Sequence, residues 1–348
     1  MEFHLPSRTW WAPQKKLNDL SETLDELVDK DNPENARAFT VNQFERGLGI
    51  LENFSQLSLI GRTLLLVPVA EMAFYLARFW KENFKKPSLQ TEYCTLSAYA
   101  RLNILRLRAL LVISPTFPLP MEDPRTLSLT STGADIALFS DASGKPKEIT
   151  DPNYAPTCLG VYWPATEAGK KSRAYSFPLP YSFLAGYAIS KGQGKSRKVL
   201  DQTVLLELLP VIAIILQHPA EFKGKTVMLS TDNQTTVNLY QTCSAKKVYT
   251  AYFLECLFFI IGTLDIKLFM KWRRRRSTQA MCAADDLTHG RLTNPGPEVD
   301  CRVLQLPPPL HKVVHGTLSY HSHCLDTLRS EVMNYLSDIF PGIKFPFC

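Results

Sequence analysis

Three features are missing from the sequence, and each absence narrows the class of protein. No apolar run reaches about 18 residues, the length of a membrane-spanning helix. The first residues, MEFHLPSRTWWAPQ, lack the apolar core of a secretory signal peptide. Eight cysteines occur without one CxxC pair, which argues against a zinc knuckle and a dense disulfide framework. We therefore expect an intracellular protein of the nucleus or the cytoplasm, without membrane association and with reduced thiols.

A strong charge of one sign is also missing. The 348 residues contain 39 lysines and arginines against 33 acidic residues, which gives a formal net charge of +6. This balance is compatible with a polyanionic partner and does not require one. With 45% hydrophobic residues the chain is able to bury at least one full core, and its length suggests two domains.

The first third of the chain has the periodicity of helices. Apolar residues recur at helical spacing in residues 14–31, along 40–85 with breaks around Gly61 and Pro68, and over about 94–113. This part of the sequence therefore predicts a helical domain.

From residue 134 onward the pattern changes to short β-branched or aromatic runs bounded by turn residues, which predict strands. The runs are ADIALFSDAS (134–143), CLGVYWP (158–164), SRAYSFPLP (172–180), KTVMLSTDN (225–233) and DIKLFMKW (265–272). Helices are predicted for 204–219, for about 234–261 and from about Ala283, and a terminal helix for about 322–338. Alternating strands and helices predict an α/β sheet.

Four acidic residues lie where these predicted elements begin or end. Asp141 ends the first strand, Glu207 is in the first turn of a helix, Asp232 ends a later strand and Asp285 opens the last helix of the sheet domain. Ligands of open α/β sheets bind at the carboxyl ends of the strands, so we expect the four carboxylates to converge there. Divalent cations relieve the repulsion within such a cluster, and oxygen ligands favour Mg²⁺ or Mn²⁺ over zinc. Two such ions about 4 Å apart would support phosphodiester hydrolysis.

Each acid also has a structural interpretation. An aspartate at a strand end is commonly a turn or helix-cap residue, as Asp141 or Asp232 alone would be. Asp285 and Asp286 together would favour a helix amino terminus through the helix dipole. Glu207 differs, because it is the lone charge within VLLELLPVIAIIL, where an unpaired buried carboxylate would be costly.

The ordered set of motifs resembles the ribonuclease H domain of retroelement reverse transcriptases, most of all elements of the BEL/Pao and DIRS kinds. The motifs are FSDAS on the first strand, ELLPVIAIIL on the next helix, TDNQTT after the fourth strand and AADDLTHG at the end. The resemblance aligns Asp285 with the family's final metal-binding acid and leaves Asp286 at a variable position. Cys282 and His289 stand where the family usually has asparagine and arginine.

The resemblance implies an expected architecture: a ribonuclease H-like mixed five-stranded sheet flanked by helices, preceded by a helical domain. Residues 1–131 would form a helical domain like a polymerase thumb or connection, 132–295 the ribonuclease H-like domain, and 296–348 a proline-rich extension with a short terminal helix. The upstream match, FERGLGILENFSQLSLIGRTLLLVPVAEMAFYLARFW, is a similarity of pattern only. We expect no polymerase activity, because no aromatic residue precedes the Asp-Asp pair and no palm motifs precede it.

Two basic segments are candidates for binding nucleic acid. In KWRRRRSTQ (271–279), the residues Arg273, Arg274, Arg275 and Arg276 would neutralise phosphates at the border of the site; a solvated loop or a nuclear-import signal is the alternative. In KGQGKSRK (191–198), Lys195 and Arg197 would add a second backbone contact, with a flexible exposed loop as the alternative.

Three further residues are predicted auxiliaries of the site, and each has a structural alternative. His289 would assist proton transfer or product release, or be a surface histidine. Asn233 would contact substrate, or cap the helix that follows. Ser143 would act beside the first acid, or serve in a turn. Trp272 is expected in the core rather than as a stacking platform.

Two functions follow from these predictions. The first is a metal-dependent endonuclease of ribonuclease H type, which binds two Mg²⁺ or Mn²⁺ ions and hydrolyses the RNA of an RNA–DNA hybrid. The second is a catalytically silent, domesticated retroelement protein that serves as a nucleic-acid-binding or ribonucleoprotein assembly module. Nucleic acid, a hybrid or another duplex, is the expected partner of both, together with a ribonucleoprotein or a polymerase partner chain.

Overall fold

The computed structural model divides into two compact units. It describes residues 2–4, 9–11, 14–28, 38–55, 59–83, 93–113, 116–118, 133–143, 157–167, 169–180, 203–245, 247–292, 297–315 and 323–345. No helix of these described segments is both long enough and apolar enough to cross a membrane.

The first unit contains residues 1–123, 243–255 and 347–348 and is mainly helical. Its helices are α1 (Gln14–Leu27), α2 (Val41–Ser55), α3 (Leu59–Asn83) and α4 (Ala98–Ile113). Its short antiparallel strands are β1 (Glu2–His4), β2 (Thr9–Trp11), β3 (Phe39–Thr40), β4 (Tyr93–Cys94) and β5 (Thr116–Pro118), ordered β1-β2-β5 and β3-β4. The breaks predicted at Gly61 and Pro68 both lie inside α3, where burial of residues 63–67 outweighs the hydrogen bond that a helical proline removes.

The second unit contains residues 124–242 and 256–346 and is built on one mixed sheet flanked by helices. The strands are β6 (Ile136–Ala142), β7 (Cys158–Trp163), β8 (Ser172–Pro178), β9 (Thr226–Thr231), β10 (Lys267–Trp272) and β11 (Val299–Val303). The helices placed wholly or partly in this unit are α5 (Thr203–Gln217), α6 (Pro219–Phe222), α7 (Gln234–Thr242), α8 (Val248–Thr263), α9 (Gln279–Thr288), α10 (Pro308–His315) and α11 (His323–Ile339).

The sheet order is β10-β9-β6-β7-β8-β11. The pairs β10–β9, β9–β6 and β8–β11 are parallel, whereas β7 is antiparallel to both of its neighbours. The predicted mixed α/β sheet flanked by helices is therefore confirmed. The predicted number of five strands is wrong, because residues 299–303 add a sixth strand at the edge of β8.

The sixth strand was missed because its sequence, VDCRV, lacks the apolar run that marks the other strands. Residues 301–303 are exposed, so pairing with β8 rather than an apolar face places them in the sheet. The central strands differ in this respect, since Val227 to Ser230 on β9 are all buried.

The carboxyl ends of the first and fourth predicted strands lie at the same edge of the sheet, because these strands are parallel neighbours. Since β6 and β9 run in the same direction, Asp141 near the end of β6 and Asp232 just after β9 lie at the same edge. Helix α5 supplies Glu207 from an almost entirely buried apolar helix. The topology thus gathers acids that are up to 91 residues apart in the chain.

Helix α9 packs closely on the strand next to β6 because that strand has a glycine at the contact. Gly160 is opposite Asp141 in the β6–β7 pair, and a Cβ atom there would lie 2.8 Å from Thr288 Cγ2 and 3.1 Å from the carbonyl oxygen of Ala284. The start of α9 was predicted near Ala283, but the helix begins at Gln279, where the Thr278 hydroxyl caps it by accepting from the Met281 N–H at 3.2 Å.

Candidate active site

Three of the four predicted acids form a compact cluster at the carboxyl end of β6 and β9. One carboxylate oxygen from each of Asp141, Glu207 and Asp232 lies within 4.8 Å of the others. Asp141 and Glu207 are buried, at 4% and 5% exposure, and Asp232 is partly buried. The cluster therefore has the reach and the donor chemistry to hold one divalent cation with oxygen ligands.

Burial and repulsion between carboxylates raise the pKa values of these acids above their ordinary range. Burial raises the pKa of Asp141 to about 6 against the hydrogen bond from Thr288, and repulsion from Asp232 adds to the increase. Burial also raises the pKa of Glu207 well above its usual range, with the charges of Asp141 and Asp232 contributing. The pKa of Asp232 is raised by burial as well, although the charge of Arg275 opposes the increase. A bound cation would remove this electrostatic cost.

Local hydrogen bonds hold the Glu207 carboxylate in place. The Thr231 hydroxyl donates to its Oε2 atom at 3.0 Å, and the backbone N–H of Ala142 also bonds to it. Thr231 is the last residue of β9, and Ala142 is the last of β6. Glu207 is thereby tied to the ends of the two strands that carry the other acids.

The fourth acid, Asp285, lies near Asp141 but in a different electrostatic environment. One ligand atom from each of Asp141, Asp285 and His289 lies within 4.8 Å of the others, so Asp141 belongs to both groups. The Nδ1 atom of His289 is 2.8 Å from the carbonyl oxygen of Asp285 and 3.1 Å from the Thr288 hydroxyl. Burial acts to raise the pKa of Asp285, but hydrogen bonds from Arg275 and Arg276 outweigh it and the pKa is lowered.

Three arginines enclose the adjacent carboxylates of Asp285 and Asp286. Arg275 Nε donates to Asp285 Oδ1 at 2.8 Å, and Arg276 Nη1 donates to Asp285 Oδ2 at 2.6 Å and to Asp286 Oδ1 at 2.7 Å. Arg291 completes the group through Nη2 to Asp285 Oδ2 and through Nε to Asp286 Oδ1 at 2.9 Å. Arg275 and Arg276, the second half of the arginine run, are therefore neutralised in space, since a turn at residues 275–276, with φ 54° at Arg276, brings them back over α9.

The remaining residues of the arginine run behave differently. Arg273 is partly buried, and its Nε donates to the Ser230 hydroxyl at 3.3 Å. Arg274 is exposed. Trp272 was expected in the core, but it is 45% exposed; it is the last residue of β10, which is an edge strand of the sheet. Its indole N–H donates to the carbonyl oxygen of Asp232 at 3.0 Å.

The other predicted residues lie at the margin of the site or outside the described residues. The Asn233 side chain accepts from the Thr236 N–H at 3.0 Å and so caps α7. The Ser143 hydroxyl accepts from the Cys158 N–H at 2.6 Å, which extends the β6–β7 pairing. Lys195 and Arg197 fall in residues 181–202, outside the described residues.

Sequence reasoning did not identify Thr231, Thr288 and Arg291 as parts of the site. The Thr288 hydroxyl lies 2.7 Å from Asp141 Oδ2 and 2.9 Å from the carbonyl oxygen of Asp285. The sequence contained a signal for Thr288, because the family motif that AADDLTHG resembles has Ser or Thr at that position. Arg291 had no comparable signal, because its pairing with α9 depends on the chain returning after His289.

Removal of the Thr288 hydroxyl should make Asp141 a still weaker acid. Thr288→Val keeps the side-chain shape and deletes the hydrogen bond that lowers the pKa of Asp141, which is now about 6. We expect the pKa to rise by about 1 unit, since a hydrogen bond to a charged group contributes about 1.5 to 3 kcal/mol. Carboxyl-detected NMR titration measures the change, with Thr242→Val on the exposed side of α7 as the control. An unchanged pKa would show that Thr288 does not act on Asp141.

Comparison with known proteins gives similarity to solved structures. No family model matches the chain, and no curated protein matches it. Among solved structures, the chain is similar to ribonuclease H1 from the halophilic archaeon Halobacterium salinarum NRC-1, with 12% sequence identity and a TM-score of 0.29. The similarity covers 45% of this chain and 97% of that one.

Proposed function

We propose that this protein is a metal-dependent hydrolase of ribonuclease H type that cleaves the RNA strand of RNA–DNA hybrids. The observation that carries the proposal is the convergence of Asp141, Glu207 and Asp232, from two strand ends and one buried helix, within 4.8 Å. Such a buried carboxylate cluster raises the pKa of its own members and is costly without a compensating charge. Asp285 is the proposed fourth acid, adjoining Asp141.

The first group fits Mg²⁺ or Mn²⁺, because it offers three carboxylates and neither sulfur nor imidazole. In the second group the oxygen donors are Asp141 and Asp285, and His289 adds an imidazole, so an ion there would share Asp141 with the first ion. Bound there, two divalent ions would activate a water and stabilise the leaving oxygen of an in-line phosphoryl displacement. The chain's own contribution is positional: Thr231 and Thr288 orient the carboxylates of Glu207 and Asp141.

One observation favours a second candidate function, a silent nucleic-acid-binding or assembly module. Both carboxylate oxygens of Asp285 are engaged by arginines, so a cation at the second group would have to compete with three guanidinium groups. A module of this kind would bind hybrids through basic residues and leave them intact. The two candidates differ in hydrolysis and agree in binding.

Cleavage of labelled duplexes tests the proposal. The full chain would be incubated with an RNA–DNA hybrid, double-stranded RNA or double-stranded DNA of one sequence, with Mg²⁺ or with a chelator. We expect cleavage of the RNA in the hybrid alone, and only with Mg²⁺. Intact hybrid that is nevertheless bound would favour the silent module, whereas absence of binding to any of the duplexes would contradict both candidates.

We further propose a retroelement origin and the domain division predicted above. The support is the ordered set FSDAS, TDNQTT and AADDLTHG, with Asp141 and Asp232 at one sheet edge and an oxygen of Asp285 within 4.8 Å of one of Asp141. In the described residues, 299–303 pair with β8, so the proposed extension at 296–348 contributes an edge strand to the same sheet as the nuclease-like residues.

A further inference from the structure

An exposed tryptophan lies at the end of β10, beside the acid cluster. Trp272 is 45% exposed, and among the described residues of the second unit the other exposed large hydrophobic side chains are Val303 and Ile339, which are aliphatic. Leaving much of an indole in water forgoes a large hydrophobic gain that burial would provide. A functional contact is a physical reason for keeping it there.

The tryptophan ring is fixed relative to the acids. Its indole N–H donates to the backbone carbonyl of Asp232 at 3.0 Å, and the carboxylate of the same residue belongs to the cluster with Asp141 and Glu207. This hydrogen bond satisfies the polar edge of the indole and holds the ring next to the cluster. What remains exposed is an apolar surface beside Asp232, whose carboxylate belongs to the site.

Arg274, two residues after Trp272, carries a positive charge that is able to pair with a phosphate. Arg274 is exposed, and within the described residues it has no acidic partner, whereas Arg275 and Arg276 are held by Asp285 and Asp286. The three consecutive arginines from Arg274 to Arg276 are therefore of two kinds. Arg274 is available to a phosphate, while Arg275 and Arg276 already neutralise acids of the site.

We propose that Trp272 and Arg274 form the contact that positions the bound strand beside the acid cluster. The indole surface packs against the sugar of a nucleotide next to the phosphate at the cluster, and Arg274 pairs with a neighbouring phosphate. The sugar is the occupant because both faces of each base inside a duplex are covered by neighbouring bases, while the sugars line the shallow minor groove of an A-like duplex. This inference rests on the proposed function for its ligand, an RNA–DNA hybrid.

Binding measured without metal tests the tryptophan separately from hydrolysis. The full chain would be titrated into a fluorescein-labelled blunt RNA–DNA hybrid in the presence of a chelator, with fluorescence anisotropy as the readout. We expect Trp272→Leu to weaken binding about tenfold, the factor expected when about 60 Å² of apolar surface is no longer removed from water. Trp272→Phe keeps a flat apolar ring and should stay within about threefold of the wild type.

Controls separate this effect from a general loss of structure. Val303→Ala removes exposed apolar surface from the other edge strand of the same sheet and should leave hybrid affinity unchanged. Circular dichroism should show the same melting profile for Trp272→Leu and Trp272→Phe. If Trp272→Leu bound as tightly as the wild type, or if Trp272→Phe were as weak as Trp272→Leu, the packing contact would be refuted.

The arginine is tested by the salt dependence of binding. Arg274→Gln should make the slope of log affinity against log salt shallower by about 0.7 to 0.9, the value for one phosphate contact. Lys267→Gln is the matched control, because Lys267 is an exposed cation at the opposite end of β10. Equal slopes for Arg274→Gln and the wild type would overturn the assignment of Arg274 to a phosphate.

The outcomes distinguish this inference from the proposed function. Wild-type protein that cleaves hybrids, with Trp272→Leu unaffected in binding, would refute the contact and leave the hydrolase intact. Trp272-dependent binding of a hybrid that is never cleaved would support the contact and refute the hydrolase. A larger loss on single-stranded RNA than on the blunt hybrid would show that the ring stacks on a base, and would overturn the sugar as its occupant.

Discussion

Asp232→Asn should abolish hybrid cleavage, by about 10³-fold or more, because it removes one oxygen ligand from a site whose ions contribute several kcal/mol of transition-state stabilisation. Hybrid binding should persist or become tighter, since the substitution removes a negative charge that repels phosphate. The measurement is single-turnover cleavage together with anisotropy in a chelator. Calorimetry with Mn²⁺ should show weaker binding to the variant.

A matched control for this variant is Asp265→Asn. Asp265 is exposed in the turn before β10, at the other end of the strand from Trp272, and its φ of 53° is a conformation that asparagine tolerates. We expect this variant to cleave hybrids at the wild-type rate. Wild-type cleavage by Asp232→Asn would remove Asp232 from the catalytic set, and equal loss in both variants would point to a general effect of charge.

The free energy of unfolding should rise in Asp141→Asn at neutral pH when no divalent cation is present. The folded pKa of Asp141 is about 6 and the ordinary value is 3.8, so between these values the folded state holds more protons than the unfolded state. Stability therefore falls as pH rises from about 4 to about 6, and the cost is complete above pH 6. A shift of about 2 pKa units corresponds to about 2 to 3 kcal/mol, which the amide variant would recover.

Urea unfolding followed by circular dichroism, at several pH values between 4 and 8 in a chelator, measures this difference. The variant and the wild type should be equally stable near pH 4 and diverge up to about pH 6. Adding Mg²⁺ should stabilise the wild type more than the variant, because a ligand stabilises the state that binds it. A stability difference that does not depend on pH would contradict the raised pKa of Asp141.

The candidate acids were predicted from their placement on the expected strands and helices, and the resemblance of the motifs pointed to the same four residues. Asp141 and Asp232 follow apolar runs that predict strands, and Glu207 is the lone charge of an apolar helix. These are local properties of the chain. The five predicted strands correspond to β6 to β10, since period and turn residues mark them directly.

Features that depend on contacts between distant segments could not be predicted from the local sequence pattern. The pairing of β11 with β8 was missed because exposed residues 301–303 carry no apolar alternation. The exposure of Trp272 depends on β10 being an edge strand, which is a property of the sheet order. The hydrogen bond from Thr288 to Asp141 joins residues 147 positions apart.

The sequence by itself determined the alternation of strands and helices and the position of Asp141 and Asp232 at strand ends, because burial period and turn chemistry are encoded residue by residue. Glu207 and Asp285 were predicted at the starts of helices, but they lie past the first turn of α5 and α9. Only the tertiary structure decided how the charges combine. The four arginines and two aspartates form separate blocks of sign along the chain, and a turn with positive φ at Arg276 folds one block onto the other. Arg274 and Trp272 remain exposed beside the acid cluster. Which side chains pair depends on the path of the backbone in space, and residue type alone does not determine it.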